Sequence, residues 1–265
     1  MRNLLKSLAG ACGLELLRKR RVRAPYISEV HAPGADYRFW IANDVGQLWY
    51  TGGDHARNPE LLALRELVGA GARVLEIGCH HGFHTVFLGQ LVGPDGAVVG
   101  VEAEPGNALI AQAQVTLNRL GHCRIEPAAA GAATGRARIS LVDNVIGGAG
   151  LADEQIDVPV VTADGLDASD GPFTVLKIDV EGFEAQVLRG ATRILARRPR
   201  LALELHPQLV RQAGDRLEDV ISVLQGVGYR GTILLPTDVV VDYVPDQLAV
   251  LAGQHAKLNL FLIPV

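Results

Sequence analysis

The sequence has few cysteines and no long apolar run. Cys12, Cys79 and Cys123 are odd in number and lack the paired spacing of a zinc site or a disulfide framework. We therefore expect a reducing, cytoplasmic environment. No segment reaches the roughly 18 apolar residues that a membrane span needs. Lys6 and Glu15 interrupt the apolar residues near the start, which argues against a secretory signal.

The chain also lacks a strong net charge, since its 265 residues carry only -4 at pH 7. The charge is unevenly distributed, because residues 1–23 hold seven Lys or Arg against Glu15 alone, which leaves -10 for the rest. An acidic body argues against a nucleic-acid partner, because phosphate chains are bound through Lys and Arg. The basic tail is expected to be either an amphipathic helix touching anionic lipid or a partner protein, or a frayed terminus.

From residue 72 onward, short aliphatic runs alternate with helical stretches, which is typical of a parallel sheet with crossover helices. We expect residues 72–265 to form one α/β domain. Within residues 130–170, "RARISLV" and "IDVPVVT" predict two short strands around the glycine-rich "NVIGGAG", which we interpret as an insertion at the sheet edge. Regular alternation then resumes, and "EAQVLRGATRILARR" predicts one helix.

Residues 24–71 are too few for a separate domain and contain both tryptophans. We expect this segment to be a cap that packs on the sheet or covers its active edge. Its aromatic residues Trp40, Trp49 and Tyr50 are interpreted as core or interface packing, with substrate contact as the alternative.

The stretch "VLEIGCHHGFHT", residues 74–85, is a strand that turns into a glycine-containing loop. It matches neither the dinucleotide pattern G-x-G-x-x-G nor the phosphate loop G-x-x-x-x-G-K-[ST]. Gly78 and Gly82 allow the backbone to approach a ligand, while Glu76 would repel a polyphosphate and suits a cationic group. Glu102, at the end of the second strand, lies where a carboxylate holds ribose hydroxyls. Together these residues favour S-adenosylmethionine as the cofactor.

Two longer stretches resemble the FkbM family of class I S-adenosylmethionine-dependent methyltransferases: "VLEIGCHHGFHTVFLGQLVGPDGAVVGVEAEPGN" and "LKIDVEGFEAQVLRGATRIL…RPRLALELHP". The resemblance implies a Rossmann-like mixed seven-stranded sheet with helices on both faces, preceded by a helical or cap segment. The expected cofactor-binding residues are Glu76, Gly78, His80, Gly82, Thr85 and Glu102. His80 stands where the family usually has asparagine, which a neutral histidine imitates only in one tautomer. Cofactor affinity is therefore expected to depend on pH near neutrality.

Two strands carry charges where a buried parallel strand is normally apolar. In "VLKIDVEG", Lys177 and Asp179 point to one face, and in "RLALELHP", Glu204 and His206 share a face. In the implied fold these strands are neighbours, so the four side chains should converge at the carboxyl end beside the cofactor. They are our candidate catalytic residues. A purely structural ion-pair network is the alternative.

Displacement at the cofactor's methyl group requires that the acceptor be aligned and lose its proton. His206 has a suitable pKa for the general base, with Glu204 or Asp179 fixing its tautomer. Asp179 is the competing candidate for the base. Glu184 begins the next helix, where acids are favoured by the helix dipole, and is expected to be structural.

A metal ion is the less favoured expectation. Asp179, Glu181 and His206 could supply oxygen and imidazole ligands, but no compact motif such as H-E-x-x-H occurs. His80 and His81 are adjacent, and adjacent side chains on a turn seldom bind one ion.

The sequence therefore predicts an O-methyltransferase acting on a hydroxyl of a small molecule or glycan, such as a sugar or a polyketide-like acceptor. An N-methyltransferase and a cofactor-binding module without catalysis remain open. A nicotinamide dehydrogenase is the least favoured alternative.

Overall fold

The structure, a computed structural model, describes residues 24–142, 145–147 and 155–265. The predicted basic tail, residues 1–23, lies outside these ranges. The helices are α1 (Asp44–Tyr50), α2 (Pro59–Leu67), α3 (Phe83–Val92), α4 (Pro105–Leu117), α5 (Ala163–Asp170), α6 (Glu184–Arg189), α7 (Thr192–Ala196), α8 (Pro207–Gln212), α9 (Leu217–Val227) and α10 (Pro245–Gln254). No helix within the described ranges has the length and apolar character needed to cross a bilayer.

The strands fall into three sheets. In chain order they are β1 (Tyr26–Ala32), β2 (Ala35–Ile41), β3 (Arg73–Ile77), β4 (Ala97–Val101), β5 (Cys123–Glu126), β6 (Ala129–Ala130), β7 (Gly135–Val142), β8 (Val145–Gly147), β9 (Gln155–Val161), β10 (Val175–Ile178), β11 (Arg200–Leu205), β12 (Tyr229–Leu234), β13 (Val240–Asp242) and β14 (Leu258–Pro264).

The central sheet has the order β13-β12-β14-β11-β10-β3-β4-β5. The five strands from β11 to β5 are parallel, whereas β14 runs antiparallel to both β11 and β12. This is the mixed α/β arrangement expected from the resemblance. The sheet has eight strands instead of seven because the short β13 adds to the outer edge of β12.

The central strands of this sheet lie in the core of the domain. All four residues of β10 are buried, and four of the five residues of β3 are buried. Parallel strands covered by helices on both faces are normally apolar throughout. Lys177 and Glu76 are therefore the exceptions, and their pairing across the two strands is described below.

Residues 24–71 form a β-hairpin, β1–β2, followed by α1 and α2. The segment is thus not purely helical. Buried side chains of the hairpin and α2, such as Phe39 and Leu61, share one hydrophobic cluster with Val74 and Phe87 of the central domain. Trp49 does not belong to this core, because it is 62% exposed.

Two side-chain amides, one in α4 and one on the residue directly after it, attach the hairpin to the central domain. The side chain of Gln114 accepts a hydrogen bond from Trp40 N–H at 2.8 Å and donates one to Trp40 O at 2.7 Å. The side chain of Asn118 makes the same pair of contacts with Arg38, at 3.0 and 2.7 Å. These amides satisfy backbone groups of β2 that have no strand partner on that side, so they fix the hairpin's position.

The insertion between residues 130 and 170 forms its own four-stranded sheet, in the order β6-β9-β7-β8. The two predicted strands correspond to β7 and β9, which pair antiparallel. The insertion follows β5, the edge strand of the central sheet, but its strands do not extend that sheet, because β9 pairs with β6 and β7. Most of the predicted "NVIGGAG" connection lies outside the described residues.

The predicted helix at residues 184–198 is interrupted and forms α6 and α7. Asp164 accepts hydrogen bonds from the N–H groups of Arg193 and Ile194, at 2.9 to 3.0 Å, and so caps the start of α7. A Cβ at Gly190 would lie 2.1 Å from the backbone oxygen of Gly131. Tertiary contacts thus override a continuous helical pattern.

We expect Gly190→Ala to destabilise the fold by about 1–3 kcal/mol, because the added methyl group collides with backbone that cannot rotate away. The matched control is Gly226→Ala in α9, where an added Cβ meets nothing within 4 Å. Alanine favours a helix over glycine by up to about 1 kcal/mol, so the control should be neutral or slightly stabilised. Urea unfolding measures both variants, and equal stabilities would contradict the collision.

Candidate active site

The loop between β3 and α3 is held in a left-handed backbone conformation at three positions. Gly78, His80 and Gly82 have φ values of 86°, 49° and 79°. A Cβ on Gly78 would lie 1.7 Å from the backbone oxygen of Asp179, so only glycine allows the end of β10 to approach the loop. Helix α3 starts after Gly82 without a side-chain cap. Its first N–H groups are therefore available to a ligand.

Glu102 lies directly after β4 and holds the loop from the side. Its Oε2 accepts a hydrogen bond from His80 N–H at 2.8 Å, and its Oε1 accepts one from Glu104 N–H at 2.9 Å. Burial raises the pKa of Glu102 to about 7, despite these hydrogen bonds. The carboxylate is thus in place next to the loop and titrates near neutrality.

Tyr50, at the end of α1, covers the loop from the cap segment. Its hydroxyl is hydrogen-bonded to Nδ1 of His80, and its ring stacks on Phe83 with centroids 5.1 Å apart. The rings of His80 and His81 also stack, 4.2 Å apart. Because these parallel rings lie face to face, the two histidines are poorly arranged to chelate one ion.

The structure changes the expected pH dependence of His80. Burial, and then the neighbouring His81, lowers the pKa of His80 to about 3. The ring is therefore neutral throughout the physiological range and has no titration near neutrality. Glu102 is the residue of this loop region that titrates there.

Glu76 and Thr85 are brought together beneath the loop. The hydroxyl of Thr85 donates to Glu76 Oε2 at 2.6 Å, and both side chains are fully buried. Among the described residues, Glu76 Oε1 has no hydrogen-bond partner. Lys177 is the nearby cation, with its Nζ 3.7 Å from that oxygen.

Lys177 connects the cofactor loop to the other charged strand ends. It lies beside Glu76 in the register of β10 and β3, so the two side chains share a face of the sheet. Its Nζ is also 3.5 Å from Oδ2 of Asp179. Burial alone would lower the pKa of Lys177, but Asp179 and Glu76 raise it well above its usual range. The ammonium ion is therefore charged and held between two carboxylates.

His206 is surrounded by three carboxylates at the end of β11. Its Nδ1 lies 2.9 Å from Oε1 of Glu184, and its Nε2 lies 3.2 Å from Glu204 and 3.5 Å from Glu181. Burial alone would lower the pKa of His206, but Glu184 and Glu204 raise it above its usual value. The imidazolium form is favoured, which makes His206 a poorer proton acceptor than its intrinsic pKa suggests.

Glu204 is held ionised by two cations. Its Oε1 lies 2.8 Å from Nζ of Lys257, in addition to the contact with His206. Burial alone would raise the pKa of Glu204, but His206 and Lys257 together lower it. Asp179 has the opposite balance: burial and the charge of Glu204 raise its pKa, and Lys177 offsets only part of the rise.

The four candidate catalytic residues thus converge as two linked groups: Lys177 contacts Asp179, and Glu204 contacts His206. One ligand atom from each of Asp179, Glu181, Glu204 and His206 can be chosen so that all four lie within 4.8 Å of one another. The set contains the three residues of the less favoured metal expectation and adds Glu204.

Sequence reasoning missed the contacts of two residues at the site. Tyr50 was interpreted as core or interface packing, with substrate contact as the alternative, and its hydrogen bond to His80 was not predicted. Glu184 was expected to serve only the helix dipole, yet it is fully buried and contacts His206. The sequence offers one signal for Glu184, a carboxylate three residues after Glu181 at the start of a helix. Without the position of His206, this pattern looks the same as an acid favoured by the helix dipole.

Comparison with solved structures gives similarity to methyltransferases at low identity. Fibrillarin from Aeropyrum pernix, with natively bound S-adenosyl-L-methionine, is 15% identical with a TM-score of 0.47, over 94% of this chain and 86% of that one. An rRNA methylase from Streptococcus thermophilus is 13% identical with a TM-score of 0.46, over 77% and 92%. Sequence identities and TM-scores of this size carry no information on the methyl acceptor.

A search of curated proteins found no match. The model of the methyltransferase FkbM domain matches residues 76–230, more than half of the chain. The matched range contains the loop, Glu102 and both charged strand ends. The chain therefore belongs to the FkbM family of S-adenosylmethionine-dependent methyltransferases.

Proposed function

We propose that the protein transfers the methyl group to a hydroxyl of a small molecule or glycan. The observation that carries this proposal is the position of Asp179. Its side chain is 24% exposed, adjoins the loop through the contact of its backbone with Gly78, and is held on its other side by Lys177. A partly accessible carboxylate beside the cofactor loop can receive a proton from an acceptor.

The residues of the loop fit S-adenosylmethionine in three respects. Glu102 is a carboxylate next to the loop and suits ribose hydroxyls. The uncapped N-terminus of α3 offers N–H groups. Oε1 of Glu76, which makes no hydrogen bond within the described residues and lies 3.7 Å from Nζ of Lys177, is a carboxylate oxygen that suits a cationic group. When bound, the cofactor supplies an electrophilic methyl group with a neutral leaving group already in place.

Asp179 is the better candidate for the proton acceptor at this edge. Both ring nitrogens of His206 face carboxylates, and the imidazolium form has no lone pair to accept a proton. Lys177 restrains the Asp179 carboxylate and so fixes its orientation. A positioned general base contributes about 10²–10⁴ in rate.

The acidic edge favours an oxygen over a nitrogen acceptor. Nearby carboxylates raise the pKa of an amine and keep it protonated, which removes the lone pair needed for attack. A hydroxyl keeps its lone pairs beside these carboxylates, because its proton leaves only as the new bond to the methyl group forms. The N-methyltransferase alternative is therefore disfavoured by Asp179, Glu181 and Glu204.

The same charges argue for a neutral or cationic acceptor. Nucleic acids are bound mainly through Lys and Arg contacts to phosphate. At this edge Lys177 and Lys257 are already paired with carboxylates. Hydroxyl groups of a sugar or polyketide-like molecule can instead donate hydrogen bonds to the carboxylates.

The proposal is tested with S-adenosylmethionine carrying an isotope-labelled methyl group and fractions of host glycans, small metabolites and RNA. We expect label in a glycan or small-molecule product, as a methyl ether, with wild-type protein and not with Asp179→Asn. Label on nitrogen or in RNA would contradict the proposed acceptor. Cofactor binding without labelled product in any fraction would favour the non-catalytic alternative.

For Asp179→Asn we expect turnover to fall by about 10²–10⁴, because the amide cannot accept the proton. Calorimetric binding of S-adenosylmethionine should change by no more than about twofold, because Asn keeps the shape of the side chain. The exposed Asp157, which is paired with Arg138 in the small sheet, provides the control Asp157→Asn with unchanged turnover. An equal loss of cofactor affinity and turnover in Asp179→Asn would contradict its assignment as the base.

Cofactor affinity should decrease as the pH falls through about 7. Glu102 has a pKa of about 7 in the free protein, and its ionised form is the better acceptor for ribose hydroxyls. Between pH 8 and pH 6, the dissociation constant should rise by about tenfold, because a carboxylate of this pKa is about nine-tenths ionised at pH 8 and about one-tenth ionised at pH 6. Calorimetry measures the profile, and Glu102→Gln should bind more weakly and with little pH dependence. An unchanged profile in Glu102→Gln would assign the titration to another group.

A further inference from the structure

We propose that Asp179, Glu181, Glu204 and Nε2 of His206 bind one divalent cation of the Mn²⁺ or Mg²⁺ class, which holds the acceptor. The inference rests on the proposed function, because it describes how the acceptor's oxygen atoms are recognised at the same edge. The ligand atoms of these four residues lie within 4.8 Å of one another, close enough to converge on one ion after small side-chain rotations.

Glu184 prepares His206 as a ligand. Its Oε1 lies 2.9 Å from Nδ1 of His206 and accepts a hydrogen bond from the backbone N–H of the same residue at 3.1 Å. These contacts fix the ring so that Nε2 faces Glu181 and Glu204. Metal-binding histidines are commonly held in this way by a carboxylate on the second ring nitrogen.

Two buried polar atoms next to the four ligands make no hydrogen bond within the described residues, which is an observation independent of the cluster. Lys177 is 3% exposed, its Nζ points toward Asp179, and it has no hydrogen-bond acceptor among the described residues. Glu184 is 0% exposed, and its Oε2 is also unpaired within the described part of the chain. Unpaired buried polar atoms point to a missing ion or water. An oxygen atom held by a cation beside Asp179 would be the acceptor that Lys177 lacks.

The charge balance also calls for a cation. The ion pairs around the four ligands contain five carboxylates and three cations, which leaves two negative charges while His206 is an imidazolium. The carboxylates are those of Glu76, Asp179, Glu181, Glu184 and Glu204, and the cations are Lys177, His206 and Lys257. Binding through Nε2 requires His206 to lose the proton on that nitrogen, which leaves three negative charges, and one divalent ion would offset two of them.

The ligand set selects the class of metal. Three carboxylates and one imidazole suit Mn²⁺ and, through the oxygens, Mg²⁺, whereas sites for Cu⁺ and structural zinc are typically rich in thiolate. Cys79 and Cys123 are both buried elsewhere and are not among the four ligands. A hard cation with open coordination positions binds two neighbouring oxygens of one molecule. The inferred acceptor therefore carries a hydroxyl next to a second oxygen, as in a vicinal diol.

The test uses full-length protein freed of metal with a chelator and then titrated with Mn²⁺, with free Mn²⁺ followed by electron paramagnetic resonance. We expect one Mn²⁺ per chain, displaced by excess Mg²⁺. Glu181→Gln removes a half-exposed ligand and should abolish this binding, as should Glu204→Gln. Glu184→Gln, which disturbs only the support of His206, should weaken binding by about 10–100-fold.

The matched control is Glu66→Gln, an exposed carboxylate on α2, which should bind Mn²⁺ as the wild type does. Circular dichroism verifies that each variant is folded. Absence of Mn²⁺ binding, or binding that survives in both Glu181→Gln and Glu204→Gln, would overturn the proposal. Calorimetry with S-adenosylmethionine on the same samples separates the two ideas: cofactor binding and turnover without any Mn²⁺ site refute the cation and leave the methyltransferase intact.

Discussion

The buried ammonium of Lys177 is the interaction on which the arrangement of this site depends. It lies on β10 between Glu76 on β3 and Asp179 at the end of its own strand. Removing one partner of such a buried group leaves an uncompensated charge, which typically costs about 3–5 kcal/mol. The register of two neighbouring parallel strands thus connects Glu76, beneath the loop between β3 and α3, to Asp179, the proposed general base.

The second anchor is the pair formed by Glu184 and His206, which fixes the end of β11 against the start of α6. Between the two anchors, Asp179 and Glu204 present their carboxylates at one edge of the sheet. The cap segment closes the opposite side of the loop through Tyr50 and His80. The proposed cofactor-binding and acceptor-facing residues are therefore different, and mutation can test them separately.

Much of this organisation could be predicted from local patterns. Charges at the ends of two apolar strands, at Lys177, Asp179, Glu204 and His206, predicted convergence because parallel strands end at the same edge. Contacts that depend on packing between distant segments could not be predicted. The Glu184–His206 pair requires the position of β11, and the break at Gly190 depends on Asp164 and on the backbone of Gly131. The prediction that His80 titrates near neutrality failed for the same reason, because the burial of His80 by Tyr50 is not visible in the sequence.

A crystal structure with S-adenosylhomocysteine tests the central claim most directly, namely that methyl transfer occurs at the edge controlled by Lys177. The account predicts the ribose hydroxyls on Glu102 and the sulfur facing Asp179, with space between them for a methyl group and one acceptor oxygen about 3–3.5 Å apart. A sulfur atom directed toward Tyr50 and His80, away from Asp179 and Glu204, would contradict it.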